Sequence, residues 1–204
     1  MMVFSHKRLA ILAVPKTGST ALQEAIGSRA DIIFAKWRKH INTRQFNKHV
    51  APFLSEIIGT EVKTLAVMRE PLDHLSSWYR YRSRRELEGT DRSTSGMSFD
   101  AFLDGVLAQE RPEYARFGSQ HNFLRDSAGE LNVDHLFAYE RQDILLDYLS
   151  NRFGHPITLE QHNVSPKFDT PLSAPSQARL REGYKEEFAL YEKLMAAGGY
   201  LKRD

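Results

Sequence analysis

Short uninterrupted apolar runs alternate along this chain with stretches in which apolar residues recur every three or four positions. Leu9 to Val14 and Val62 to Met68 are apolar runs of buried-strand length, and Val133 to Ala138 reads the same way. Asp31 to Ala35 is a shorter strand candidate. Helical spacing appears over Ala21–Ile26 and over Thr43–Ile58, where Phe46, Val50, Phe53, Leu54 and Ile57 recur at helical intervals. It appears again after Pro71, after Ser98, within 117–124, over Glu140–Phe153 and over Pro175–Ala197. Ser98 suits an N-cap, and Gly59, Gly154 and Gly198–Gly199 suit helix ends. Glu88 to Gly96 lacks an apolar anchor and reads as a mobile loop, and 155–175 is proline-bearing and irregular. Alternating strands and helices predict an α/β fold built on a central parallel sheet, as a single domain over residues 1–204.

Two junctions in this pattern carry chemistry. The first is Pro15-Lys16-Thr17-Gly18-Ser19-Thr20, between the strand at 9–14 and the helix that follows. A strand that feeds a helix through a small polar turn aims free N–H groups and the helix dipole at one point, which is an anion site. Lys16 adds a full charge, and Thr17, Ser19 and Thr20 add hydroxyls. The order is not that of a Walker A loop, because the lysine precedes the glycine. An ordinary strand–helix turn with a surface lysine would share the pattern. The second junction is Arg69-Glu70-Pro71, at the carboxyl end of the next buried strand, where open α/β sheets bind ligands; Ser77 follows in the helix. Taken alone, Arg69 would be an ion-pair residue of the framework.

The chain has no cysteine, which excludes disulfides, thiolate nucleophiles and cysteine-ligated metals. Formal net charge is +2, so bulk charge does not mark a nucleic-acid binder, and local patches carry any anion argument. The densest basic stretch is Trp78 to Arg85, with arginines at 80, 82, 84 and 85. It is either a solvated helix face or one side of an anionic ligand site. Met1 to Arg8 reads as a short polar tail, and no run has the length of a membrane span.

Together the two junctions resemble the nucleotide-binding motifs of sulfotransferases that use 3'-phosphoadenosine-5'-phosphosulfate (PAPS). Pro15 to Thr20 resembles their 5'-phosphosulfate loop, and Arg69-x-Pro71 with Ser77 resembles their 3'-phosphate motif. His162-Asn163-Val164-Ser165-Pro166, followed by Pro171-Leu172-Ser173, is similar to the C-terminal segment of the carbohydrate branch of that family. The resemblance implies a P-loop-like three-layer fold and PAPS as co-substrate, with 3',5'-ADP as product and no metal. It implies nucleotide contacts from Lys16, Thr17, Gly18, Ser19, Thr20, Arg69, Ser77, Ser165 and Lys167. Lys16 would also act in catalysis. His40 would be the general base, since Lys39-His40 and the residues up to Phe46 resemble the segment that carries a catalytic histidine in the 2-O-sulfotransferase branch. A second histidine of that pattern is Arg38 here, and Glu24 is the carboxylate that could serve instead. The expected acceptor is a small molecule or glycan hydroxyl, with Gln120 and the four arginines beside it favouring an anionic one. A cytoplasmic, bacterial protein is the expected setting, without nucleic-acid partners.

Overall fold

The computed structural model describes residues 1–59, 61–159 and 169–203. Within them a six-stranded sheet contains β1 (Met2–Phe4), β2 (Leu9–Ile11), β3 (Ile32–Ile33), β4 (Lys63–Met68), β5 (His135–Ala138) and β6 (Tyr200–Lys202). Their spatial order is β3-β1-β2-β4-β5-β6. The helices are α1 (Ser19–Ile26), α2 (Thr43–Gln45), α3 (Ala51–Ile58), α4 (Pro71–Arg82), α5 (Phe99–Leu107), α6 (Gln120–Leu124), α7 (Gln142–Phe153), α8 (Ala174–Gly183) and α9 (Lys185–Ala196). The protein is therefore α/β.

The sheet is mixed: the expected parallel strands form its centre, and antiparallel strands flank them. β2, β4 and β5 run parallel at its centre, in register Leu9↔Lys63 and Leu65↔His135. β1 pairs antiparallel with both β2 and β3, and β6 pairs antiparallel with β5. The central strands read as continuous apolar runs because both faces are covered. Ala10, Leu12, Ala66, Met68, Leu136 and Ala138 pack with Phe46, Leu54, Leu124 and Leu194 from α3, α6 and α9 and the turn before α3. Leu9, Ile11, Leu65, Val67 and Phe137 pack with Leu22 and Ile26 of α1 and with Leu145 and Leu149 of α7. Each Leu, Ile, Val, Phe or Met among them contributes about 1.5–3 kcal/mol by leaving water. A third cluster joins α4, α5, α8 and α9 through Leu75, Tyr79, Phe102, Leu103, Leu180 and Phe188.

Four local expectations change. Met1 to Phe4 is buried and forms β1 rather than a polar tail. The helix expected over 43–58 is interrupted by a π turn at Phe46–Val50, directly before Pro52, which has no N–H to donate and whose ring crowds the carbonyl one turn back. Its Phe53 and Ile57 are exposed, and Phe46, Val50 and Leu54 carry the packing. The last helix breaks after Gly183, where a Cβ would lie 2.6 Å from the Leu107 side chain, so that close approach of α5 and α8 requires glycine. The stretch 88–96 is anchored rather than mobile. Thr94 is buried, its hydroxyl donates to the Tyr79 carbonyl at 2.8 Å, and its amide donates to the Arg82 carbonyl. No helix among the described residues is long and apolar enough to cross a membrane.

Candidate functional site

The carboxyl ends of the three parallel strands converge. β2 leads into the loop Pro15–Thr20, Arg69 directly follows β4, and Tyr139 directly follows β5. The loop alternates left- and right-handed backbone. Lys16 has φ 65° and Gly18 has φ 75°, and α1 starts at once. The consecutive backbone amides from Lys16 through Ala21 donate to no protein acceptor among the described residues. Such a concave row of free amides at a helix N-terminus binds anions.

The loop is held from beneath and behind. The Thr17 hydroxyl is turned inward and donates to the Val14 carbonyl at 2.9 Å, so it is not one of the outward donors expected from the sequence. Ser19 makes no side-chain bond, and Thr20 Oγ1 accepts from Lys39 Nζ at 2.9 Å. Buried His74 of α4 lies under the loop with Nε2 3.1 Å from the Pro15 carbonyl. A Cβ on Gly18 would come 3.2 Å from the Tyr139 ring.

The electrostatics are one-sided. Lys16 Nζ sits 4.3 Å from the centre of the Tyr81 ring and 6.0 Å from that of Trp78, and it pairs with no carboxylate among the described residues. Burial, and then the nearby Arg84, Arg69 and Arg80, push its pKa down to about 8. Among the described residues Asp73 is the one carboxylate in direct contact with this group, binding Arg69 Nε at 2.6 Å and Arg80 at 3.4 Å. Arg69 also donates from Nη1 to the Lys16 carbonyl at 3.3 Å and stacks over Tyr139 at 4.6 Å. The structure thus ties Arg69 to the loop. Part of its donor set serves the framework, and its second terminal nitrogen has no protein partner among the described residues. Ser77 is buried on α4, on the helix face that also carries Asp73, Arg80 and Tyr81 by spacing.

His40 sits behind the loop. Its Nδ1 is 2.7 Å from the Ala13 carbonyl, and because a carbonyl only accepts, Nδ1 carries the proton. In the neutral ring Nε2 is left as the free base. Desolvation of the part-buried ring lowers its pKa, against the opposing pull of the Ala13 bond. Glu24 is exposed on α1 and faces Lys39 electrostatically.

Of the basic stretch, Arg80 and Arg84 join the Lys16 cluster, but Arg82 does not. It is buried and donates to the carbonyls of Glu113 and Arg116. Gln120 does not line a cleft either, being buried against the backbone of Arg69. Tyr139 was missed in the sequence; its position directly after β5 is the signal that could have found it. Ser165, Lys167 and His162 lie outside the described residues. No group of three or more His, Asp or Glu side chains is placed to hold a metal ion among the described residues. No family model matches this chain, and no curated protein matches it.

Proposed function

We propose that the chain is a sulfotransferase that moves a sulfuryl group from PAPS to a hydroxyl of a small-molecule or glycan acceptor, on a P-loop-like three-layer fold. The observation that carries the reading is the loop of amides from Lys16 to Ala21, unpaired among the described residues and ringed by Lys16, Arg69, Arg80 and Arg84, with Asp73 as the one described carboxylate that contacts them. Such a surplus of donors and positive charge fits a ligand that carries more than one anionic group. A reducing, cytoplasmic setting fits a chain without cysteine.

The residues fit a phosphosulfate held at the loop. Gly18 carries no side chain to meet the Tyr139 ring, and its αL turn leads directly into α1; the loop amides, Ser19 and Lys16 would hold the 5'-phosphate. PAPS supplies the sulfuryl group when bound. His40 Nε2 takes the proton of the acceptor hydroxyl as its oxygen bonds to sulfur. Lys16 and the loop amides stabilise the charge that collects on the departing phosphate as the sulfur–oxygen bond breaks. Arg69 and Ser77 contact a separate phosphate at the ribose 3' position. Arg80 and Arg84 favour an anionic acceptor.

The deciding experiment is calorimetry with 3',5'-ADP, AMP and ATP. A charge-assisted arginine contact is worth roughly 1.5–3 kcal/mol, so 3',5'-ADP should bind at least about tenfold tighter than AMP. Arg69→Ala should erase that preference. A site that prefers ATP, or that keeps its preference without Arg69, would sink the assignment.

A further inference from the structure

Arg69 stands one residue beyond the last paired residue of β4, where Met68 pairs with Ala138. Its amide and carbonyl therefore have no strand neighbour, although backbone groups at such a depth need partners. Gln120, the first residue of α6, supplies both. Its Oε1 accepts from the Arg69 amide at 2.8 Å, and its Nε2 donates to the Arg69 carbonyl at 2.8 Å. The primary amide thus acts as one more rung of the sheet, made by a side chain. The same Nε2 donates to Oε1 of Glu187 at 3.1 Å. Gln120 and Glu187 are 1% and 2% exposed, so neither exchanges these bonds for water.

The arrangement is directional. Glu187 presents an oxygen acceptor to the Gln120 amide, and that fixes which end of the amide is nitrogen. With Nε2 shared between Glu187 and the Arg69 carbonyl, Oε1 is left for the Arg69 amide. A flipped amide would set two oxygens against each other at Glu187 and two N–H donors against each other at Arg69. Arg69, held this way, spans Asp73, the Lys16 carbonyl and the Tyr139 ring. A change of a few tens of degrees in the backbone at 69 would swing its guanidinium away from all three.

We propose that Gln120, oriented by Glu187, is the positioning residue for Arg69, and that it sets the selectivity of the site for a nucleotide carrying a second phosphate. The proposal rests on the nucleotide reading given above. Gln120 touches no ligand in this scheme and acts through the backbone of Arg69.

The test uses Gln120→Met, which keeps the length and loses the bonds, with Glu187→Met and Glu187→Gln, the last keeping an acceptor. Two readouts run in parallel on the full chain: calorimetry with 3',5'-ADP and AMP, and amide hydrogen exchange at Arg69. Gln120→Met should cut the 3',5'-ADP over AMP preference about fivefold or more, leave AMP within about twofold, and speed exchange at Arg69 but not at Leu65. Glu187→Gln should restore most of the preference that Glu187→Met loses. A variant that keeps the preference, or that weakens both nucleotides equally, overturns the proposal and leaves Gln120 as a buried packing residue. A wild type that shows no preference overturns the nucleotide reading and the selectivity claim with it; unchanged Arg69 exchange in Gln120→Met overturns the positioning claim by itself. If Gln120→Met does not fold, Glu187→Met carries the same comparison.

Discussion

The Nε2 nitrogen of His74 lies 3.1 Å from the carbonyl oxygen of Pro15, so a side chain of α4 supports the loop that precedes α1. Because the carbonyl accepts, Nε2 carries the proton, and Nδ1 is left buried without a partner among the described residues. Burial, outweighing the Pro15 bond, pushes the pKa of this ring down to about 4. The unfolded chain takes up the same proton near pH 6.5. Between those two values the unfolded state binds more protons than the folded one, so stability falls as pH drops through the window. The full effect is about 3 kcal/mol below pH 4. Urea midpoints measured from pH 7 to pH 4.5 should fall in the wild type and fall less in His74→Gln. An identical slope in both would assign the acid sensitivity elsewhere.

Lys16 titrates near 8 and is charged below that value. Affinity for a 5'-phosphate nucleotide should therefore decline between pH 7 and pH 9. Binding at about pH 8.5 should draw a proton onto the protein, seen as heats that depend on the buffer. Lys16→Arg should abolish both effects, since a guanidinium does not titrate in this range. Lys16→Ala should lower kcat on the order of 10²-fold, well beyond its effect on nucleotide binding. An unchanged kcat would remove Lys16 from the chemistry.

His40 offers a base whose pKa lies below the ordinary imidazole value. The acidic limb of the pH–rate profile should then lie on the acid side of about 6.5. His40→Ala should eliminate the limb and leave nucleotide affinity near wild type. Should the limb survive in His40→Ala and disappear in Glu24→Gln, the base is Glu24.

Gly18 combines φ 75° with the Tyr139 ring 3.2 Å from a would-be Cβ. Gly18→Ala should cost roughly 1–2 kcal/mol of stability from the left-handed backbone alone and should weaken nucleotide binding. Gly18→Ala combined with Tyr139→Ala should recover the part due to the ring, leaving the backbone part. Thermal unfolding and calorimetry on the two variants separate these contributions.

The chemistry-bearing junctions were legible because they depend on local order. An apolar run, a polar turn and a helical period placed Lys16, Gly18 and Arg69 where β2 and β4 end. The antiparallel flanks were not legible. β1 and β6 are three residues long, too short for a period to show, and their pairing is set by contacts far apart in sequence. Thr94 and Gln120 hid for a related reason. Each is a polar residue whose burial is decided by a distant backbone group, the Tyr79 carbonyl in one case and Arg69 in the other. The inward turn of Thr17 was equally invisible, because the residue type is the same whether its hydroxyl faces the ligand or the preceding carbonyl.

The two indoles of this chain occupy opposite surroundings. Trp37 is 93% exposed. Trp78 lies stacked on Phe117 with ring centres 4.8 Å apart, and its indole is 6.0 Å from the Lys16 ammonium. A cation at that distance alters indole emission, and an anion that draws the ammonium toward the loop alters it again. Replacing Trp37 with phenylalanine leaves a single tryptophan, near Lys16, that can be excited apart from the tyrosines. Occupancy of that loop can then be followed by intrinsic emission, with no label and no knowledge of the acceptor.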